Sequence, residues 1–489
     1  MASSYIKENP NTIEELSLNA LSSMHKINMP FLLPIPDKEP IFAESIVRLV
    51  PKKRVVIFGS WNAEPVVIKM FYSRNAKRHF ERELNGLQTL LTSGVPAPRI
   101  LFEGIFFKKR LYVIVLQKIV RATNLEKLWL EKESVAELIP IMELVTIELA
   151  TQHVLGIVQK DFHFKNFLLL NNQIYTVDAG SIQSYHSLLP KKQSIKHLAL
   201  FFSQLGVGTE QLHQHLFKLY YKLRGWIMKP ADMALLRAFV KKWNGKRIVA
   251  FQKKLARSSS TFLKIKNASC VAMIDREYLS LDFKILLKNP EVIFTKATNE
   301  SLKSGNSSTV IKTTLNQQTF VIKRYNIKNA WHWVRRSFRK TRAANSFRLA
   351  NLLRLFDIPT PKPIAYIEKR FLGLRKESYF VMEHVTGKTL GEYFQNYQHE
   401  DAHFEKIAMR VLALIKNITL MGLSHGDLKA SNILIANEQP VLIDLDGMKK
   451  YRTQRKADAV YFKELKRFLK NWDSQPDIKH LFEKLLKDI

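Results

Sequence analysis

HGDLKASNILIANEQPVLIDLDG, residues 425–447, is the stretch on which the reading of this chain turns. In it Asp427 is followed five residues later by Asn432, and Asp444 stands twelve residues further on at the end of an apolar strand pattern. QKDFHFKNFLLLNNQIYTVDAG, residues 159–180, repeats that spacing with Asp161, Asn166 and Asp178, so the three positions map onto each other with one constant offset. An internal repeat organises a fold before any single motif does.

The correspondence extends outward from both stretches. Upstream, each half has an apolar strand carrying a lysine, VVIKMF with Lys69 and FVIKRY with Lys323. A helical stretch and a proline-marked turn follow, RELNGLQTLLTSGVPAP in one half and NSFRLANLLRLFDIPTPKP in the other. Next come the apolar strands LYVIVLQ and SYFVMEHV and then a helix, with apolar residues at Leu138, Ile141, Val145 and Leu149 and at Ile407, Val411, Leu414 and Ile418 in helical spacing. Strands, one helix, more strands and then helices make an α+β order with segregated elements, expected as two tandem modules, each a small antiparallel sheet lobe with a helical lobe. The chain's 489 residues suit two domains of about 200 to 250 residues.

We place an N-terminal extension at 1–39, the first module at 40–260, a connector at 261–290 and the second module at 291–489. Residues 184–258 read as amphipathic helices of the first module, and TFLKIKNASCVAMIDREYL as a strand pair or connector. The polar runs ARSSST and KATNESLKSGNSST bracket the join.

Composition bounds the partners. A formal charge of +34 implies attraction to something anionic, whether a membrane surface, a phosphorylated lipid or sugar, or nucleic acid. No recognised nucleic-acid reading motif accompanies the charge, so no specific nucleic acid is expected. The single cysteine, Cys270, cannot make an intramolecular disulfide, which fits a reducing cytoplasm. The polar, acidic start MASSYIKENPNTIEE is unlike a secretory signal, and no run of about 18 apolar residues offers a spanning helix, so membrane contact is expected to be peripheral.

The Asp, Asn, Asp spacing suits phosphoryl transfer, which asks for metal-bound polyphosphate, an aligned hydroxyl and charge stabilisation. Magnesium prefers hard oxygen ligands, so Asn432 and Asp444 are its expected holders, with Asp446 as a further carboxylate. Asp427 is expected to orient the acceptor hydroxyl and take its proton, Lys323 to pair with nucleotide phosphates and Lys429 to reach the transferring phosphate. The SGNSST segment around Gly305 lies where a turn covering the phosphates belongs. The first module carries Asp161 as the catalytic counterpart, Asn166 and Asp178 as metal holders, and Lys69 with Glu83 as its partner. It departs from the pattern in Gln159, in a VPKKRVV turn without glycine, and in Ala179 after its last Asp. In the second module Ser346 falls opposite Glu83, leaving Lys323 to be paired by another acid or to work unpaired. His163 and His425 read as loop-positioning residues, and Cys270 as a small buried hydrophobe.

HGDLKxSN followed by DLDG resembles the protein-kinase-like superfamily, including aminoglycoside and choline kinases. The run LKSGNSSTVIKTTLNQQTFVIKRYNIKNAWHWVRRSFRKTRAANSFRLANLLRLFDIPTPKPIAYIEKR, residues 302–370, resembles the bacterial lipopolysaccharide core kinases that act on Kdo and heptose, as does NFLLLNNQIYTVDAGSI in the first module. The resemblance implies ATP and magnesium, an inner-core sugar hydroxyl of a lipopolysaccharide precursor as acceptor, and a peripheral place at the cytoplasmic face of the inner membrane. Two other readings stand beside it: a kinase-fold regulatory or scaffold protein of envelope biogenesis, and a kinase for another small molecule or a protein. Oligomeric state is left open.

Arg335, Arg336, Arg339, Lys340, Arg342 and Arg348 beside Trp331, Trp333 and Phe338 mix cations with interfacial aromatics, as a lipid headgroup region favours; a solvated helix with its aromatics on the sheet is the alternative. Reversing the charge of Arg335 and Arg336 is expected to reduce sedimentation with anionic vesicles. Unchanged sedimentation would remove this segment from any membrane contact.

Overall fold

The computed structural model describes residues 11–12, 29–50, 53–106, 110–132, 134–185, 187–259, 261–295, 299–327, 337, 339–397, 401–451 and 453–487. The chain divides into two compact units, Met1–Gln204 with Gln211–Trp243, and Leu205–Glu210 with Asn244–Ile489. Trp331, Trp333, Arg335, Arg336 and Phe338 of the basic aromatic segment lie outside the described residues.

Unit 1 begins with a seven-stranded sheet ordered Asn11–Thr12, Phe31–Ile35, Lys38–Val50, Arg54–Trp61, Glu64–Phe71, Leu111–Gln117 and Ile100–Phe106. Strand alternation explains the layering. Val66, Ile68 and Met70 join Phe31, Ile57 and Val113 in one apolar layer, while Phe71, Tyr112, Ile114 and Leu116 pack with Phe80, Leu87 and Leu90 of helix Ala76–Thr92 in another. Lys69 alternates onto the helix-facing side, which is why it meets that helix. The helical part holds Ile139–Val154, Lys191–Phe202, Glu210–Leu223 and the start of Pro230–Leu255.

Unit 2 repeats the plan. Its sheet runs Phe262–Lys266, Cys270–Asp275, Pro363–Phe371, Leu374–Glu383, Gln318–Tyr325, Ser308–Leu315 and Glu300–Ser304. The lysine strand again sits between its hairpin partner and the second of the two strands that follow the helix, here Arg342–Leu355. Below lie Ala402–Leu420, Gln454–Leu469 and Pro476–Lys487. Ile407, Val411, Leu414 and Ile418 are all buried in one core with Leu428, Ile433, Leu442 and Phe468, as their spacing predicted.

Backbone detail shows the repeat more finely than the side chains do. Two-residue hairpin turns with both central residues left-handed occur at Asn62–Ala63 and Asn316–Gln317 beside the lysine strands, and at Asn171–Asn172 and Asn437–Glu438 beyond the two loops. This turn matches strand twist, and asparagine tolerates its first position. Thr176 N–H donates to Pro96 O at 2.9 Å, and Leu442 N–H to Pro359 O at 2.9 Å, so the proline-marked turn anchors the same strand in each unit.

The expected boundaries need correction. Residues 261–290 are not a free connector, because Phe262–Lys266 and Cys270–Asp275 extend the second sheet. They cover the edge of Pro363–Phe371, whose unpaired backbone groups would otherwise face water, and they bury Phe262, Ala272 and Ile274. Phe31–Ile35 belongs to the first sheet although it precedes residue 40, and residues 244–255 group with the second unit. Among the described residues no helix is long and apolar enough to cross a membrane.

Unit 1 buries a one-directional hydrogen-bond chain. His197 Nε2 faces the carbonyl oxygen of Gln159 at 2.7 Å and must donate to it. Its Nδ1 therefore accepts from His153 Nε2 at 2.7 Å, and His153 Nδ1 accepts from the Tyr220 hydroxyl at 2.6 Å. Arg224 donates to that hydroxyl at 2.8 Å. Protonating either imidazole breaks the chain, and burial pushes both pKa values down, that of His197 to about 4. An unfolded histidine takes up its proton near pH 6.5, so stability present above that value is lost as pH falls toward 4. His197 alone is expected to cost unit 1 roughly 3 kcal/mol across that window, read as a falling urea midpoint, and His197→Gln should flatten the dependence.

Candidate functional site

In unit 2 the loop after strand Leu423–Ser424 is fixed by its backbone. Gly426 has φ +81°, and a Cβ there would stand 2.2 Å from the Gly447 carbonyl oxygen, so this close crossing admits glycine alone. The side chain of Glu464, on helix Gln454–Leu469, accepts the backbone N–H of His425 at 3.1 Å and that of Gly426. One turn later on the same helix, Arg467 donates to Asp427 Oδ1 at 2.6 Å. Lys429 Nζ lies 3.3 Å from Asp427 Oδ2. Asn432 Nδ2 donates to the Asp427 carbonyl at 2.8 Å and to its Oδ2 at 3.3 Å. The buried His425 donates from Nε2 to the Ile443 carbonyl at 2.9 Å, and Ile443 N–H returns to the Asn432 carbonyl at 3.0 Å. Loop and second strand are thus tied together one residue before Asp444.

Asp444 adopts a left-handed backbone, φ 58° and ψ 62°, which costs about 1–3 kcal/mol for a residue with a side chain. The turn brings two carboxylates to one ammonium: Lys323 Nζ is 2.7 Å from Asp444 Oδ1 and 2.7 Å from Asp446 Oδ2. The Ser346 hydroxyl donates to Asp446 Oδ1 at 3.0 Å, and the buried Tyr325 hydroxyl donates to the same oxygen. Burial alone would raise the Asp444 pKa, but Lys323 outweighs it and holds the carboxyl below its ordinary value. Lys323 is therefore not unpaired: Asp446 takes the place Glu83 holds in unit 1, and Ser346 is small because it receives that carboxylate. Phe380, Met382 and Ile443 form the apolar side of the narrow cleft around this cluster.

Gly305 lies in a hairpin turn, at the place where the sequence reading put a turn over the phosphates. Its N–H is spent on Ser308 O at 3.2 Å, closing the hairpin between Glu300–Ser304 and Ser308–Leu315. A Cβ there would come no nearer than 3.6 Å to that oxygen, so the site has no steric demand for glycine. Asn326 and Arg342 hold the turn through the Gly305 and Ser307 carbonyls.

Unit 1 builds the lysine pair the other way round. Lys69 pairs with Glu83 of helix Ala76–Thr92 and donates to Val177 O at 2.9 Å. At the offset where unit 2 has Asp446, unit 1 has Gly180, and a Cβ there would meet Glu83 Oε2 at 2.8 Å. The acid therefore comes either from the helix, with glycine in the loop, or from the loop, with serine on the helix. Asp178 is drawn up by burial and further down by Lys69 and Arg54, leaving its pKa below the ordinary value. Gln159 Nε2 donates to the Asp178 carbonyl at 3.0 Å, doing the tethering that His425 does in unit 2. Asn166 Nδ2 donates to the Asp161 carbonyl at 3.1 Å. The Asp161 side chain is 68% exposed and lies 3.1 Å from His163 Nε2. At the same sequence offset from Glu464 and Arg467, unit 1 has the buried Leu198 and Phe201, and there His197 of that helix meets the loop backbone at the Gln159 carbonyl, 2.7 Å away.

Sequence spacing thus pointed to every residue of the lysine clusters except Tyr325, and it missed Glu464 and Arg467. The signal for those two lay in comparing the repeats beyond the quoted motifs, where two apolar positions of one helix become an acid and a base.

A metal would find hard donors here: Nδ2 of Asn432 faces Asp427, which leaves its Oδ1 as the accepting end, and Asp444 carries a carboxylate. Among the described residues no group of three or more His, Cys, Asp or Glu side chains is placed to hold a metal, so an ion here would need phosphate oxygens to complete its shell.

A lysine strand paired to an acidic loop below it, with an Asp and Asn loop alongside, defines a protein-kinase-like phosphotransferase fold in unit 2. Residues 294–484 match the Lipopolysaccharide kinase (Kdo/WaaP) family. Among solved structures, WaaP in complex with acyl carrier protein is similar over 41% of this chain and 88% of that one, at 18% identity and a TM-score of 0.33. Serine/threonine-protein kinase RAD53 of Saccharomyces cerevisiae is 44% identical over 79 residues, which are 16% of this chain and 10% of that relative's length. The chain thus matches about a tenth of that curated protein.

The exchanged carboxylates give a test. Asp446→Gly strips an acceptor from Lys323, Tyr325 and Ser346 together and should destabilise unit 2 by about 2–4 kcal/mol. Adding Ser346→Glu, the arrangement of unit 1, should recover most of that loss in thermal melting.

Proposed function

We propose that unit 2 transfers the γ-phosphoryl group of ATP to a sugar hydroxyl of the lipopolysaccharide inner core. The observation carrying this reading is the pair of clusters joined at Ile443, with Asp427 and Asn432 on one side and Lys323, Asp444 and Asp446 on the other. Lys323 meets the nucleotide phosphates. Asp444 and Asn432 would hold magnesium, which would supply charge neutralisation of the polyphosphate. Asp427 orients the acceptor hydroxyl. The acceptor oxygen bonds to the γ-phosphorus as the bond from that phosphorus to the β–γ bridging oxygen breaks; ADP departs with the electron pair, and the acceptor proton passes to the Asp427 carboxylate. Lys429 stands beside that carboxylate, within reach of the transferring group.

The acceptor is an anionic glycolipid, and the +34 charge favours a peripheral place on the anionic inner face of the bacterial inner membrane. For unit 1 we favour a regulatory or structural role, because the positions at the offset of Glu464 and Arg467 are the buried, apolar Leu198 and Phe201 and its Asp161 carboxylate is largely exposed.

Mass spectrometry of lipopolysaccharide core from cells carrying wild type, Asp427→Ala or Asp161→Ala tests both statements. Asp427→Ala should remove one phosphate and lower transfer in vitro at least about 100-fold, while Asp161→Ala keeps it. A phosphate lost only with Asp161→Ala would reverse the assignment.

A further inference from the structure

Both oxygens of Asp427 are occupied: Oδ1 by Arg467 at 2.6 Å, and Oδ2 by Lys429 and Asn432 at 3.3 Å each. A hydroxyl that is to be oriented by this carboxylate must compete with those donors. Arg467 is the contact best placed to yield, since its side chain is 57% exposed against 43% for Lys429, and an ion pair of that exposure is weakly held. Its backbone, however, is fixed, because Glu464 one turn earlier pins helix Gln454–Leu469 to the loop at His425 and Gly426. The guanidinium can therefore leave Oδ1 without leaving the site. Lys463, four residues before on the helix, and Lys470, at the helix's C-terminal cap three residues after, are exposed and extend a cationic row away from Asp427. Unit 1 has Phe201, buried, in place of Arg467.

We infer that Arg467 is the acceptor's anion site in unit 2: a carboxylate or phosphate group near the reacting hydroxyl takes the guanidinium from Asp427 and leaves Oδ1 to that hydroxyl. The planar fork of arginine suits either anion. Binding an acidic acceptor thus frees the residue that orients it, and a neutral hydroxyl compound or water leaves Asp427 in its ion pair. This rests on the kinase reading above.

The test uses the full-length protein, ATP and a deacylated inner-core saccharide in three forms: intact, with its carboxylates reduced to alcohols, and enzymatically dephosphorylated. Wild type should lose at least tenfold in kcat/KM on one of the altered saccharides, which identifies the anion. Arg467→Gln should lose at least tenfold on the intact saccharide, carried in its KM with the KM for ATP unmoved, and should no longer distinguish that altered form. Arg467→Lys should recover part of the discrimination, and melting curves confirm that both variants fold. Arg467→Gln that discriminates as strongly as wild type, or that loses kcat alone with both KM values unmoved, would overturn the inference and leave Arg467 as a positioning residue for Asp427. Full transfer by Asp427→Ala would instead sink the kinase reading itself.

Discussion

A lysine ammonium held on the inner face of a sheet is the constraint around which unit 2 is arranged. Lys323 is 8% exposed, and its charge would be costly there without an acid close by. The lysine strand has none to offer. The acid has to come from the helix behind the sheet or from the loop beneath it, so the pairing ties two parts of the unit that are 121 residues apart in sequence. The left-handed residue at Asp444, the serine at 346 and the tyrosine at 325 follow from the choice of the loop. In unit 1 the other choice brings Glu83 on the helix and Gly180 in the loop.

Most of the fold was legible because its signals are local. The alternating apolar residues of the lysine strands, the helical spacing of Ile407 to Ile418 and the proline turns each specify their element within a few residues. The constant offset between Asp161, Asn166, Asp178 and Asp427, Asn432, Asp444 pointed to two related halves, and each half has its own seven-stranded sheet. What stayed hidden depends on long-range pairing. Phe262–Lys266 and Cys270–Asp275 read equally as connector or strands, because only the exposed edge of a sheet formed about 90 residues later decides between them. Arg467 and Glu464 sit in a helix whose sequence resembles any solvated amphipathic helix, and their contacts with the loop 38–41 residues earlier exist only once the helix has docked.

The two units share a backbone and differ in what they hold. Matching hairpins, matching bonds from the proline turn and matching Asn-to-Asp loop bonds show that the scaffold does not by itself separate them. The difference lies in a few side chains around the Asp loop. Unit 2 clamps it with an acid and a base from one helix and crosses it through paired glycines. Unit 1 packs apolar residues there, substitutes a glutamine tether, and supports the loop from below with a buried histidine chain. One arrangement places charge around a carboxylate, and the other packs neutral groups near it.

Calorimetric titration of ATP into the full-length protein, with and without magnesium, tests the central claim that Asp444 and Lys323 form a nucleotide and metal site. A magnesium-dependent binding event is expected that disappears in Asp444→Asn and survives in Asp178→Asn. Magnesium-dependent binding of wild-type strength in Asp444→Asn would contradict it.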